Sequence, residues 1–143
     1  MIDPSLPGIF ISGDKGRLGR ALRAAARGPI DGWDVPDLDL DEPETCSTLV
    51  HETRPRLVIH TAAMTAVDQA AVEPEVALRR NGEAVGALAR ACRVVGAGLL
   101  LVSTNEVFSG DRTDGRPYVE DDETGPRNPY GRSKHAGELA ALE

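Results

Sequence analysis

Three glycines in the spacing G-x-x-G-x-x-G, Gly13-Asp14-Lys15-Gly16-Arg17-Leu18-Gly19, stand between an apolar run and a stretch of helix formers. Residues 8–12, Gly-Ile-Phe-Ile-Ser, are β-branched and aromatic and read as a buried strand. Residues 20–27, Arg-Ala-Leu-Arg-Ala-Ala-Ala-Arg, read as a helix that Gly28-Pro29 ends. Each glycine of the turn has a physical task. The first permits a tight turn, the second lets backbone approach a pyrophosphate, and the third lets the helix pack closely on the strand. A phosphate at such a helix start meets unpaired N–H groups and the positive end of the helix dipole.

The remaining segments continue the alternation. Residues 30–35 form a short strand that Pro36 closes. A helix opens at Asp41 or Glu42, takes Pro43 in its first turn and ends at Thr53. Residues 56–63 are a third strand and its exit. Residues 74–95 read as one long helix with an apolar stripe of Val76, Leu78, Val85, Leu88, Ala89 and Cys92. Residues 99–102 are wholly apolar before Ser103, the pattern of a central parallel strand covered on both faces. Residues 109–128 form a long polar loop, of a length usually functional or mobile, and residues 129–143 a last helix. This order implies an α/β fold, a Rossmann-like doubly wound parallel sheet. At 143 residues the chain holds one such domain, 1–143.

Asp34 lies 21 positions after Gly13, at the end of the second strand. An acidic residue about 20 positions on accepts hydrogen bonds from the adenosine ribose of a bound dinucleotide. Val35 follows it, where a basic residue would welcome a 2′-phosphate, so the pair favours NADH over NADPH. The plainer reading makes Asp34 a loop carboxylate, with Lys15 or Arg17 neutralising a phosphate.

Composition removes other classes. Acidic residues number 23 against 16 basic ones, a net charge of -7 that repels a nucleic-acid backbone. The two cysteines, Cys46 and Cys92, have no second pair to complete a zinc set and read as buried thiols in a reducing compartment. The first residues lack the charged and apolar regions of a secretory signal, and no apolar run reaches the ~20 residues of a membrane span. The expectation is a soluble cytoplasmic protein with no membrane or nucleic-acid partner.

Tyr130-Gly131-Arg132-Ser133-Lys134 puts a tyrosine and a lysine at i, i+4, on one helix face. A free tyrosine, with a pKa near ~10, needs help to work as an acid at neutral pH, and a nearby ammonium provides it. Ser103-Thr104 ends the apolar strand, where open α/β sheets bind their ligands and where a hydroxyl can reach a substrate carbonyl.

These segments together resemble the extended short-chain dehydrogenase/reductase family, and within it the dTDP-4-dehydrorhamnose reductases. The resemblance is carried by GDKGRLGRAL from Gly13, DLDLDEPE from Asp37, VIHTAAMTAVDQA from Val58, STNEVFSG from Ser103 and PRNPYGRSKHAGE from Pro126. It implies an oxidoreductase that transfers hydride from NADH or NADPH to the C4 keto group of a dTDP-linked 6-deoxyhexulose. By the same resemblance Thr104 polarises the carbonyl, Tyr130 donates the proton, and Lys134 supports the tyrosine and the ribose. Gly16, Arg17 and Leu18 would line the pyrophosphate, with Gly13 and Gly19 shaping the turn. Asp34 would hold the ribose and Asp39 and Leu40 flank the adenine. Ala62, Ala63, Met64 and Thr65 would wall the cleft, and Thr104 and Asn105 meet the sugar. No metal is implied.

Three features depart from the family. Asn105-Glu106 replace the usual Asp-Tyr, Asp31-Gly32 interrupt the second strand, and family members run to about twice this length. The expectation is therefore a cofactor-binding half, without the last strands and the substrate cap. Such a half would need a second polypeptide or would form a homo-oligomer. A non-catalytic NAD(P)-binding or regulatory module, or an NAD-dependent nucleotide-sugar epimerase or dehydratase, would share the loop and the tyrosine–lysine pair. Among smaller features, Asp68 reads as a helix cap or turn carboxylate rather than a substrate contact. His60 reads as a packed core histidine and His135 as a surface one. The cluster Glu120-Asp121-Asp122-Glu123 reads as a solvated loop rather than a metal site.

Overall fold

The computed structural model describes residues 8–143. The first seven residues, to which the reading of the leader applies, lie outside the described residues. Strands β1 (Ile9–Ser12), β2 (Ile30–Trp33), β3 (Leu57–His60) and β4 (Gly98–Leu101) form one parallel sheet in the order β2-β1-β3-β4. The helices are α1 (Arg17–Ala25), α2 (Pro43–Thr53), α3 (Val67–Val72), α4 (Pro74–Leu78), α5 (Ala84–Val95) and α6 (Pro129–Leu142). From β1 the chain crosses outward to β2, then returns past β1 to β3 and continues to β4. Right-handed crossovers in opposite directions place α1 on one face and α2 and α5 on the other. The sheet is the expected doubly wound parallel one.

The main core fills the α2–α5 face. Phe10 and Val58 point there from adjacent register positions and meet Cys46, Val50, Leu88 and Cys92. Trp33 stacks on Phe10 with ring centroids 4.7 Å apart. Fully burying an aliphatic side chain of this size contributes about 1.5–3 kcal/mol. Both cysteines are free and buried, and burial pushes each thiol up to about 11, so they are inert packing groups. Gly32, a departure in the sequence, has a spatial reason. A Cβ there would lie 2.3 Å from the Asp14 carboxylate, which Arg23 holds at 2.7 Å.

Three expectations need correction. Among the described residues β4 pairs with β3 alone, as expected of a half without the last strands, but it is not covered on both faces: Leu100 is 49% exposed. Its apolar sequence reports side chains suited to burial on both faces, while only the Leu99 face is packed against the core. The long helix runs without a break over residues 74–95 as expected, with a π-turn (Arg79–Glu83) between α4 and α5. Asp68 lies in the first turn of the unforeseen helix α3, whose cap position is Ala66. The loop between residues 109 and 128 is stapled by its own side chains. Arg112 pairs with Asp114 at 2.9 Å and Asp122 at 2.6 Å and lies over Tyr118, which stacks on Phe108. Asp122 is thus spoken for, and among the described residues no acidic or histidine cluster could hold a metal. No helix among them is long and apolar enough to cross a membrane.

Candidate cofactor cleft

The carboxyl ends of β1 and β3, where the chain's direction of winding reverses, open into a cleft of about 910 Å³. That is the upper part of the ~300–1,000 Å³ usual for small-molecule and cofactor sites. Its glycine end is built from backbone. Gly13 has φ +76°, and a Cβ on it would lie 2.8 Å from the Ala62 nitrogen. Gly19 lets α1 start directly on the turn, since a Cβ there would lie 2.3 Å from the Gly13 oxygen. The turn closes with Gly16 N–H donating to the Gly13 carbonyl at 3.0 Å. The start of α1 has neither a side-chain cap nor an acidic residue in its first turn. Its N–H groups are therefore available to an anion.

Asp34 follows β2 at the edge of this turn. Its carboxylate accepts from Val35 N–H at 2.8 Å and from Lys15 N–H at 3.0 Å. The Lys15 ammonium donates to the Val35 carbonyl at 2.9 Å. One further wall is the segment after β2: Leu38 is buried, and Asp39 and Leu40 line the cleft. Asp41, just behind them, accepts two hydrogen bonds from Arg80, at 2.8 and 2.6 Å. The Arg80 guanidinium holds the Asp41 carboxyl below the usual carboxylate range.

The opposite end is built from side chains, Lys134 buried and Tyr130 half-buried. Tyr130 and Lys134 rise from the first turns of α6 and both line the cleft. Lys134 is 4% exposed, its ammonium donates to the Val102 carbonyl at 2.6 Å, and burial lowers its pKa. Asn128 caps α6 by accepting from Gly131 N–H at 2.7 Å, and donates to Glu106 at 2.6 Å. Glu106, one of the departures from the family, thus helps place the helix that carries Tyr130. Close contacts fix that helix at two more points. A Cβ on Gly131 would lie 2.3 Å from the Glu106 oxygen, and one on Gly137 would lie 2.2 Å from the Asn81 oxygen.

Asn81, inside the π-turn and 1% exposed, has no counterpart among the expected residues. It accepts from Met64 N–H at 2.8 Å and donates to the Met64 carbonyl at 3.0 Å and to Ser133 Oγ at 2.9 Å. It ties the wall after β3 to the helix of Lys134. The only sequence signal was a polar residue interrupting a helical apolar stripe. Beneath this wall His60 is 1% exposed, and its Nδ1 lies 2.6 Å from Ser12 Oγ. Burial, with the Lys134 charge adding to it, pushes the imidazole down to about 3, so it is neutral and packed. His135 is half-buried rather than a free surface group, between Glu138 and Thr124.

Thirteen of the expected site residues line the cleft. At the glycine-turn end these are Gly13, Gly16, Arg17, Leu18, Asp34, Asp39 and Leu40. The β3 wall adds Ala62, Ala63, Met64 and Thr65, and α6 adds Tyr130 and Lys134. Gly19 lies beneath the turn. Thr104 and Asn105 are not in the lining: Thr104 Oγ1 accepts from Glu106 N–H at 3.3 Å, and Asn105 is exposed in the adjoining 3₁₀ turn. Ser103, their neighbour, does line the cleft.

Residues 8–143 match the family model described as RmlD substrate binding domain. The chain is 45% identical over 143 residues to a dTDP-4-dehydrorhamnose reductase of Streptomyces griseus, covering 96% of this chain and 45% of the relative. Its structure resembles that of dTDP-4-dehydrorhamnose reductase from Bacillus anthracis in complex with NADP. The TM-score is 0.88 at 35% identity, over 99% of this chain and 51% of the other. It also resembles UDP-glucose 4-epimerase from Thermus thermophilus in complex with NAD, with a TM-score of 0.78 at 26% identity, over 92% of this chain and 49% of the other. The chain thus spans about half the length of the relatives it matches. With the match running through every strand and helix described, the chain belongs to the RmlD substrate binding domain family, alongside the dTDP-4-dehydrorhamnose reductases.

Proposed function

We propose that this chain binds NADH or NADPH and forms the cofactor-binding part of a cytoplasmic reductase. The substrate in this reading is a dTDP-linked 6-deoxyhexulose, reduced at its C4 keto group. One observation carries the reading. A single cleft at the switch point has the open helix start and Asp34 at one end and Tyr130 with Lys134 at the other. The residues present fit an extended dinucleotide. The turn at Gly13 leaves backbone bare, the start of α1 suits a pyrophosphate, and the Asp34 carboxylate suits a ribose hydroxyl.

When bound, the nicotinamide supplies the hydride that reaches the carbonyl carbon. Tyr130 gives its hydroxyl proton to the carbonyl oxygen as negative charge grows there. Lys134, fixed by the Val102 carbonyl, offers its remaining N–H groups to the tyrosine oxygen and the ribose. Thr104 donates a hydrogen bond to the same carbonyl oxygen, and Asn105 meets the sugar. Gly16, Arg17 and Leu18 take the pyrophosphate, and Asp39 and Leu40 flank the adenine. Asp34 gives NADH a modest advantage by repelling a 2′-phosphate. The bare edge of β4 and exposed Leu100 would be covered by a further polypeptide segment or a second copy.

A second reading, a module that holds cofactor without turning over sugar, draws on the position of Thr104 and Asn105 outside the cleft lining. Steady-state NADH oxidation with a dTDP-4-keto-6-deoxysugar separates the two. The reductase reading expects slow turnover by this chain and much faster turnover when a reductase C-terminal half is joined to it. Equal rates for both would overturn the half-site reading, and no turnover by the joined protein would favour the binding module.

A further inference from the structure

The π-turn Arg79–Glu83 touches both ends of the cleft through two consecutive side chains. Asn81 binds the Met64 backbone twice and Ser133 once, next to Lys134. Arg80 faces the other way. Its Nε and one terminal nitrogen grip the two oxygens of Asp41, and Arg79 Nε lies 3.5 Å from the same carboxylate. Consecutive side chains leave a helix about 100° apart, so Arg80 and Asn81 reach different neighbours, and the wider π-turn displaces their carbonyls from the regular ladder. Both partners of the Arg80–Asp41 pair are only about one third exposed. A two-bond guanidinium–carboxylate pair in that setting fixes direction as well as distance.

Asp41 is also tied into the cleft wall on its own side. Its N–H donates to Asp39 Oδ1 at 2.9 Å, and the Asp39 N–H donates to Thr45 Oγ1 at 3.1 Å. Arg80 itself lines the cleft, as do Asp39 and Leu40. Pulling on Asp41 therefore sets where Asp39 and Leu40 stand.

We propose that Arg80 is a positioning residue for the adenine end of the cofactor, acting through its two-bond grip on Asp41. The π-turn then holds the adenine wall and, through Asn81, the wall beside Lys134 at a fixed separation. The inference rests on the proposed binding of a nicotinamide dinucleotide and deepens it by naming what holds one wall.

The test is a double-mutant cycle read by binding on the whole 143-residue chain. NADH and ADP are titrated by calorimetry into wild type, Arg80→Met, Asp41→Asn and the double variant. Each single variant is expected to weaken both ligands about tenfold, and the double variant no more than either alone, as for partners in one interaction. Arg80→Lys, which keeps the charge and loses the two-bond geometry, is expected to fall between wild type and Arg80→Met. Thermal midpoints are recorded for every variant. Asp41→Asn, nearly isosteric, keeps the test open if Arg80→Met does not fold. ADP affinity unchanged in folded Arg80→Met or Asp41→Asn, or losses that multiply in the double variant, would overturn the inference and leave the proposed function standing. Wild type that binds neither NADH nor ADP would overturn both.

Discussion

The two ends of the cleft are made of different material. The glycine-turn end is backbone and solvent: within α1 only Gly19 is buried, and Lys15, Arg17 and Leu18 stand exposed around the turn. The tyrosine–lysine end is side chain and interior: Gly131, Ser133, Lys134 and Gly137 of α6 are buried against the π-turn and the 3₁₀ turn. An anion site needs only N–H groups and a bare turn, so it tolerates water. A proton-donating pair needs fixed side chains in a dry setting, so it draws on the core. Folding stability and the proposed catalytic geometry are thus coupled at the second end, whereas stability and the proposed anion site are largely separate at the first.

The largest expected effect lies beneath the dry end. His60 titrates at about 3 in the fold against 6.5 for a free imidazole. Between those values the unfolded chain binds a proton that the native state refuses, so stability rises with pH through that window and is fully present above it. Over the whole window the difference is about 5 kcal/mol for this group. Urea unfolding at about pH 4 and pH 7 should show a steep loss in wild type and a smaller one in His60→Gln. An identical loss in both would show that His60 is not a buried neutral group.

Next comes the contact between α6 and the π-turn. Gly137→Val places a Cβ 2.2 Å from the Asn81 oxygen. A cost of about 3 kcal/mol or more is expected in denaturant unfolding, because backbone on both sides must move. Asn81→Leu comes third. It strips partners from the Met64 N–H and carbonyl, at a cost of about 2 kcal/mol. Both changes should lower activity of a joined protein along with stability. An Asn81→Leu variant as stable as wild type would break the contrast between the two ends.

The smallest effect belongs to the wet end. Asp34→Ala should leave the unfolding midpoint nearly unmoved and weaken NADH by a few-fold, about 1 kcal/mol, with less loss for NADPH. Equal losses for both cofactors would remove Asp34 as a discriminator and leave the balance to neighbouring Lys15, whose ammonium sits on the Val35 carbonyl.

The same contrast governs what could be read from sequence. Gly13, Gly16, Gly19 and Asp34 announce themselves because local backbone geometry demands them at fixed spacing. Tyr130 and Lys134 are legible for the same reason, being i, i+4 on one helix. Asn81, Glu106 and the Arg80–Asp41 pair were not. Their partners lie 17 to 52 positions away for Asn81, 22 for Glu106 and 39 for Arg80, and no local pattern encodes such a pairing. The uncovered face of β4 is illegible in the sequence for a related reason. An apolar run states what its side chains suit, whereas its neighbours are a property of the whole sheet. Helix α3 was passed over because six residues offer too little periodicity to see.

The central claim is that the bare glycine turn and the tyrosine–lysine end, with its buried Lys134, serve one dinucleotide. Calorimetric titration of NADH into wild type, Gly16→Val and Lys134→Met tests it most directly. A Cβ on Gly16 already lies 3.0 Å from the Gly13 oxygen, so a valine there both crowds the turn and covers the pyrophosphate path. The account predicts one NADH per chain, weakened about tenfold or more by each variant, since each removes a different part of one ligand's seat. Wild type without NADH binding, or either folded variant with wild-type affinity, would contradict it.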